Sequence, residues 1–94
     1  MILISVRALG PAEVALGARE VRLEVREEAS VGELLDKADA FADGRLRDIL
    51  YVNGERNEWV RVLLNGWDVR FLPEENLRLK ADDVVHIMPT LGGG

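Results

Sequence analysis

Residues 79–94 read LKADDVVHIMPTLGGG. Asp82-Asp83 predicts a turn, and residues 84–88 then form an apolar run that favours a β-strand, which Pro89 ends. Residues 2–7 form a second run of this kind, rich in β-branched side chains. Strands as apolar as these are typical of the middle of a sheet. We therefore predict that the first and last strands lie side by side and parallel at the centre of a mixed sheet.

Two further strands follow from patterns of period two. Residues 20–26 read EVRLEVR and residues 60–64 read VRVLL, so apolar side chains recur at every second position. That alternation predicts half-buried strands. Asn65-Gly66 follows the second of them and is the strongest short signal for a β-hairpin. Residues 67–72 are expected to return as a strand or a turn.

The predicted main helix begins after Ser30. Ser30 and Glu33 fit a capping box, in which each side chain accepts a hydrogen bond from the other residue's backbone N–H. Gly44 is expected to end the helix. Apolar residues between these limits follow helical spacing and predict one buried stripe: Leu34, Leu35, Ala38, Phe41 and Ala42.

Two connections carry weaker patterns. The segment from Gly10-Pro11 to Gly17 predicts a turn region between the first two strands. Residues 45–58 predict a variable connection with a short helical or extended piece and a turn at Asn53-Gly54.

The order of elements, β-β-α-connection-β-β-β, predicts an α+β fold with one main helix packed on one face of a mixed sheet. Alternation and helical phase predict these core residues: Leu23, Val25, Leu35, Val62, Leu64, Val85 and Ile87. The opposite face of the sheet, here called the open face, is expected to carry Leu3, Leu63, Val84, His86 and Met88. An exposed apolar face commonly marks a protein interface. The alternative is that residues 45–58 fold over this face and cover it.

Composition excludes several classes of function. The chain has 94 residues, for which one domain is expected. It has no cysteine, which excludes disulfides, thiolate metal sites, iron–sulfur clusters and a cysteine nucleophile. Its net charge of −5 makes nucleic acid an unfavourable partner. We find no apolar run of about 18 residues and no signal peptide pattern, and we therefore expect no membrane partner and a cytoplasmic protein.

The side chains suggest no conventional active site. His86 is the only histidine, and a half-exposed position in a strand accounts for it. Adjacent carboxylates occur at Glu27-Glu28, Glu74-Glu75 and Asp82-Asp83. Such pairs can bind hard cations, but their spacing fits no calcium loop, and solvated turns account for them. We therefore predict no metal site and no catalytic base.

The glycine tail offers a different chemistry. Gly92, Gly93 and Gly94 end the sequence, and a frayed end or a cloning extension would explain them without any function. The functional alternative is mechanical, because a glycine carboxylate without a Cβ can pass through a narrow channel into another enzyme's active site. An extended tail from Pro89 would reach roughly 20 Å. The carboxylate is inert until a partner adenylates it and a sulfur or amine nucleophile replaces AMP.

The motifs together resemble the ThiS/MoaD sulfur-carrier family. Residues 79–94 are similar to its C-terminal signature of leucine, acidic turn, alternating strand, proline, apolar residue and terminal glycines. Residues 60–69, which read VRVLLNGWDV, are similar to its central Val-Asn-Gly hairpin. The sequence departs from the pattern at Asp82, where glycine is usual, at Thr90, where molybdopterin subunits have a second proline, and in its third glycine. The Thr90-Leu91 pair resembles the tail of the ubiquitin-related modifiers.

The resemblance implies a fold, a chemistry and a set of partners. The fold is the ubiquitin-like β-grasp, as a domain at 1–88 with a flexible tail at 89–94. An ATP-dependent enzyme would adenylate Gly94, and the resulting thiocarboxylate would supply sulfur for molybdopterin, cysteine or tRNA thiolation. ATP would be used by this partner, with no cofactor bound by the carrier itself. A sulfurtransferase or the large subunit of a synthase would be the second partner.

Site residues and rival functions follow from the same resemblance. Gly93 and Gly94 would be the reacting end, and the expected partner contacts are Leu63, His86, Met88, Leu91 and Gly92. One alternative is a ubiquitin-like modifier that is conjugated to lysines of target proteins through Gly94. Another is a β-grasp interaction domain without such chemistry.

Overall fold

A computed structural model describes residues 1–90 of the chain. Its main sheet has five strands: β1 (Ile2–Ala8), β2 (Glu20–Val25), β5 (Val60–Leu64), β6 (Trp67–Asp68) and β7 (Val84–Pro89). A separate hairpin is formed by β3 (Tyr51–Val52) and β4 (Glu55–Arg56). The helices are α1 (Pro11–Leu16), α2 (Val31–Phe41) and α3 (Arg47–Leu50), with 3-10 turns at Val69–Phe71 and Glu74–Leu77.

The centre of the sheet is as predicted. The strand order is β2-β1-β7-β5-β6, and β1 and β7 run parallel with Val6 opposite Val85. Strand β5 pairs antiparallel with the other edge of β7, so that Val62 lies opposite Ile87. The last strand is therefore held on both sides before the chain leaves the sheet.

Helix α2 begins at the predicted capping box. The backbone N–H of Glu33 donates to Ser30 Oγ at 3.1 Å, and the N–H of Ser30 donates to Glu33 Oε1 at 3.5 Å. Four residues of the predicted stripe are buried, but the prediction was wrong for Phe41, which is 53% exposed. The chain leaves the helix directly after Phe41, and Leu46 of the following connection is the fully buried side chain instead.

The segment predicted as a turn region between β1 and β2 contains helix α1. Pro11 occupies the first helical turn, where its missing N–H costs nothing. Gly17 ends the helix with φ 79°, and its N–H donates to the carbonyl of Glu13. The helix contributes Ala12, Ala15 and Leu16 to the core.

The connection 45–58 was predicted to hold a short helical or extended piece, and it contains one of each, α3 and the β3–β4 hairpin. Leu46 and Leu50 are fully buried in the core, and Ile49 and Tyr51 pack against that core. The connection therefore packs on the helix side of the sheet, and the alternative in which it covers the open face is wrong.

The predicted core is confirmed, since each of its seven residues is buried. These residues join a single cluster that also includes Ile4, Val6, Leu34 and Leu79. None of the helices formed by residues 1–90 is both long enough and apolar enough to span a membrane.

Candidate functional site

The candidate site begins where the chain leaves the sheet. Strand β7 includes Pro89, which lies opposite Val60 of β5. Thr90 continues this pairing, because its N–H donates to the carbonyl of Trp59 at 2.8 Å. Its hydroxyl donates to the carbonyl of Glu58 at 3.0 Å. Ordered pairing with β5 thus extends through the first two residues of the expected tail.

A close backbone approach fixes Pro89 from the other side. Gly10 has φ 66°, a left-handed conformation that favours glycine. A Cβ at Gly10 would lie 3.3 Å from Cδ and from Cγ of Pro89, closer than carbon atoms normally pack. Gly10 therefore lets the loop before α1 lie directly against the end of β7.

The reacting end itself lies outside the described residues. Leu91, Gly92, Gly93 and Gly94 were expected to contact partners or to react, and they follow Thr90 directly. Four residues span at most about 14 Å when extended. Any group that reacts with Gly94 must therefore come within about that distance of Thr90.

The open face carries the five residues expected on it. His86 of β7 lies between Arg7 of β1 and Leu63 of β5 in the strand register. Leu3 is 42% exposed, and the other four are partly exposed: Leu63, Val84, His86 and Met88. Apolar side chains thus lie on all three central strands of this face and reach Met88, two residues before Thr90, with Arg7 beside His86 and Arg61 beside Met88.

One ring nitrogen of His86 is buried without a partner in the described part of the chain. Its Nδ1 is buried and has no hydrogen-bond partner among residues 1–90. The residues on either side of it in the sheet are Arg7 and Leu63, neither of which is a base or a nucleophile of the usual catalytic kinds. Residues 1–90 contain no group of three or more His, Cys, Asp or Glu side chains placed to hold a metal ion.

Charged side chains border the open face beyond Leu63. Asp68 lies opposite Leu63, and Arg70 donates from Nη2 to Asp68 Oδ2 at 3.1 Å. Partial burial by itself would raise the pKa of Asp68, but hydrogen bonds from Arg70 and the charge of Arg61 outweigh it and leave that pKa below its usual value. Asp68 is therefore ionised at neutral pH, and this border presents both signs of charge.

Trp59 is a site residue that the sequence analysis did not single out. Trp59 is 69% exposed although its backbone is fixed beside Thr90. The sequence placed Trp59 before the strand 60–64, but only the pairing of β5 with β7 brings it to the root of the tail. A tryptophan at the solvent-facing start of a strand was the one available signal.

Comparisons with known proteins find one matching family and relatives among sulfur carriers and archaeal modifier proteins. The sequence model of the ThiS family matches residues 9–94. Small archaeal modifier protein 3 of Haloferax volcanii is 33% identical over 79 residues, which cover 84% of this chain and 85% of that protein. A protein of Archaeoglobus fulgidus assigned as a sulfur carrier is 27% identical over 84 residues, covering 89% of this chain and 92% of the relative.

A solved structure agrees with the architecture. Small archaeal modifier protein 1 of Haloferax volcanii superposes with a TM-score of 0.81 at 22% identity, covering 97% of this chain and 100% of that one. Likeness at this identity shows the fold. The predicted ubiquitin-like β-grasp is therefore confirmed.

Proposed function

The chain belongs to the ThiS family, as the resemblance of its sequence implied, and from that premise we propose that it carries sulfur on the C-terminal carboxylate of Gly94. One observation carries this proposal: the family match extends to residue 94, so the three glycines lie inside the matched region. The chain is the substrate of an activating enzyme, and the catalytic groups belong to that enzyme.

The proposed chemistry has two steps. A carboxylate oxygen of Gly94 attacks the α-phosphorus of ATP, pyrophosphate leaves, and an acyl-adenylate forms. Hydrosulfide, or a donor equivalent to it, then attacks the carbonyl carbon, AMP leaves, and the thiocarboxylate remains. A sulfurtransferase or the large subunit of a synthase is the proposed consumer of this sulfur.

This chain's own contribution is to present the tail. Thr90 is bonded to β5 through its N–H and its hydroxyl, so the tail starts from a fixed point and direction. Fixing the start of the tail reduces the freedom that must be lost when the carboxylate meets ATP in line. The open face, which reaches Met88 near that point, is the proposed docking surface for the activating enzyme.

Substitution of the penultimate glycine tests the proposal. Gly93→Val is expected to abolish adenylation by the activating enzyme of the same organism, because a branched side chain restricts the backbone and widens the tail. The melting temperature is expected to stay unchanged, since residue 93 follows the last core residue. Gly92→Ala is the comparison and is expected to be tolerated better, because the family pattern needs only the final pair of glycines. Intact mass reads the adenylate first and then the replacement of oxygen by sulfur.

Two outcomes would change the assignment. If a chain ending at Gly93 were activated as well as the full chain, Gly94 would be an extension and Gly93 the reacting residue. If no activating enzyme of the same organism modified either form, the carrier function would be wrong and an interaction domain would replace it.

Protein modification is a second candidate function. The relative that is 33% identical is named a modifier protein, which favours conjugation through the same carboxylate. In that case a lysine amine of a target protein attacks the carbonyl carbon of the Gly94 acyl-adenylate, AMP leaves, the amine loses a proton, and an isopeptide bond forms. Conjugates of higher mass that form in cells with the full chain and disappear when Gly94 is deleted would favour the modifier. Free thiocarboxylate without such conjugates would favour the carrier.

A further inference from the structure

An apolar groove lies beside the root of the tail. Its volume is about 370 Å³, and residues from four parts of the fold line it: Pro11, Ile49, Trp59, Val60, Met88 and Thr90. This volume is at the lower end of the range for small-molecule pockets, so the groove has room for one or two side chains rather than for a large cofactor. We propose that this groove, with Trp59 as its anchor, receives an apolar side chain of the enzyme that adenylates Gly94.

The length of the tail identifies the occupant. The proposal rests on the proposed function, in which the carboxylate of Gly94 reacts inside a pocket that also holds ATP. Only four residues separate that carboxylate from Thr90, which is itself part of the groove wall. An extended tail of four residues reaches about 14 Å, so the enzyme surface that surrounds the tail must lie against the surface around Thr90. The groove is therefore within reach of the enzyme surface whenever Gly94 is in position to react.

Trp59 is held in place before any partner arrives. Its N–H donates to Asn57 Oδ1 at 2.9 Å, and its carbonyl accepts from Thr90. Asn57 is fixed in turn, since its Nδ2 donates to the carbonyl of Ile49 at 3.0 Å and its N–H donates to the carbonyl of Leu50 at 2.8 Å. These bonds fix the backbone of Trp59, and its side chain has only two rotatable bonds, so it loses little conformational freedom on binding. Tryptophan is also enriched among the residues that dominate binding energy at interfaces.

The charge of the groove narrows the chemistry of the partner. Among its lining residues only Asp48 is charged, and Glu58 lies at the next position before Trp59. A carboxylate beside an apolar groove favours an apolar side chain with a lysine or arginine next to it. The net charge of −5 likewise favours a positively charged surface on the partner.

The chain provides a matched control for a test. Trp67 is 68% exposed, against 69% for Trp59, but it lies at the far end of β5 beyond the Asn65-Gly66 turn. Neither Trp59→Ala nor Trp67→Ala is expected to unfold the protein, because both side chains are largely in solvent. Only Trp59→Ala removes a wall of the groove.

The experiment measures adenylation by pyrophosphate exchange, with the full chain and the adenylating enzyme of the same organism. Trp59→Ala is expected to raise KM about tenfold or more and to leave kcat and the melting temperature nearly unchanged. Trp67→Ala is expected to match the wild type, and Trp59→Phe, which keeps an apolar ring, to recover most of the affinity. If Trp59→Ala lowered the melting temperature, the test would instead compare the KM of Trp59→Phe with the KM of Trp59→Gln.

The outcomes separate this inference from the proposed function. A wild-type KM for Trp59→Ala, or an equal rise for Trp67→Ala, would overturn the groove as a docking site while adenylation of Gly94 stood. If the wild-type chain were not adenylated at all, the proposed function itself would be wrong.

Discussion

Asn65 and Asn53 show how the same local turn serves different purposes. Both begin Asn-Gly turns with left-handed backbones, at φ 50° and φ 53°. Within the described part of the chain, only Asn65 of the two bonds through its side chain. Its Nδ2 donates to Asp83 Oδ1 at 3.0 Å, and its Oδ1 accepts from the N–H of Val84 at 2.9 Å. These bonds tie the hairpin end of β5 to the start of β7, the strand that leads to the tail.

Replacement of Asn65 tests this tie. Asn65→Ala is expected to lower the free energy of unfolding by roughly 2–4 kcal/mol, because it removes two hydrogen bonds and places alanine in a left-handed conformation. Asn53→Ala makes the same backbone change without the lost bonds, and we expect a smaller effect of about 1 kcal/mol. Urea denaturation at an unchanged m-value measures both. Equal losses would show that the bonds to Asp83 and Val84 contribute nothing.

The two turns also show which contacts a sequence reveals. Asn65-Gly66 predicted a hairpin because positive φ at both positions is a local requirement. The bond from Asn65 to Asp83 joins residues 18 positions apart, and neither residue carries a local sign of it. The position of Trp59 beside Thr90 was hidden for the same reason, since it depends on strand pairing.

Among the helices and strands, predictability followed the length of the pattern. Alternation over several residues identified β2 and β5, apolar runs identified β1 and β7, and the capping box identified the start of α2. Helix α1 was missed because its six residues, PAEVAL, make fewer than two turns, too few to reveal a helical period between Gly10 and Gly17. Helix α1 nevertheless buries three side chains in the core, and the prediction of a turn did not include them.

The contrast between Phe41 and its neighbours in α2 gives a test of the core. Leu35→Ala and Ile87→Ala are each expected to lower the free energy of unfolding by roughly 2–5 kcal/mol, because each leaves a cavity among close-packed side chains. Phe41→Ala is the control, and we expect a change below about 1 kcal/mol because Phe41 is exposed. Denaturant midpoints like the wild type for both core variants would contradict the assignment of the sheet faces.

Across the whole molecule, the open face and the groove meet at the same place. Met88 belongs to both, since it lies on the open face and also lines the groove beside Thr90. The sequence predicted the open face, because alternation in β5 and β7 assigns each residue to one side of a sheet. It did not predict the groove, which is assembled from α1, α3 and β5 as well as β7. One partner approaching the tail would contact both surfaces.

A charge placed on the open face tests that arrangement. Leu63→Asp is expected to weaken binding to the activating enzyme about tenfold or more while the protein stays folded, because Leu63 is a partly exposed apolar residue of the patch. Its neighbour Asp68 adds repulsion of like charges, which costs about 0.2–1 kcal/mol of stability. Leu63→Arg also removes the apolar side chain, but its charge attracts Asp68. Comparing the two variants therefore separates repulsion by Asp68 from the loss of apolar surface.

The test of Leu63 needs a control variant and a measurement of both binding and folding. Phe41→Asp is the matched control, since it makes the same change on α2, which packs against the other face of the sheet. Calorimetry measures binding to the activating enzyme. Both Leu63 variants are expected to bind it more weakly, and Phe41→Asp is expected to bind it about as tightly as the wild type. Unfolding of both Leu63 variants would mean that Leu63 is a core residue. A double variant of Leu63→Arg and Trp59→Ala is expected to lose the sum of the binding free energy that each single variant loses, because four extended residues place the two side chains roughly 13 Å apart. A double variant no weaker than Trp59→Ala alone would show that the open face has no part in activation.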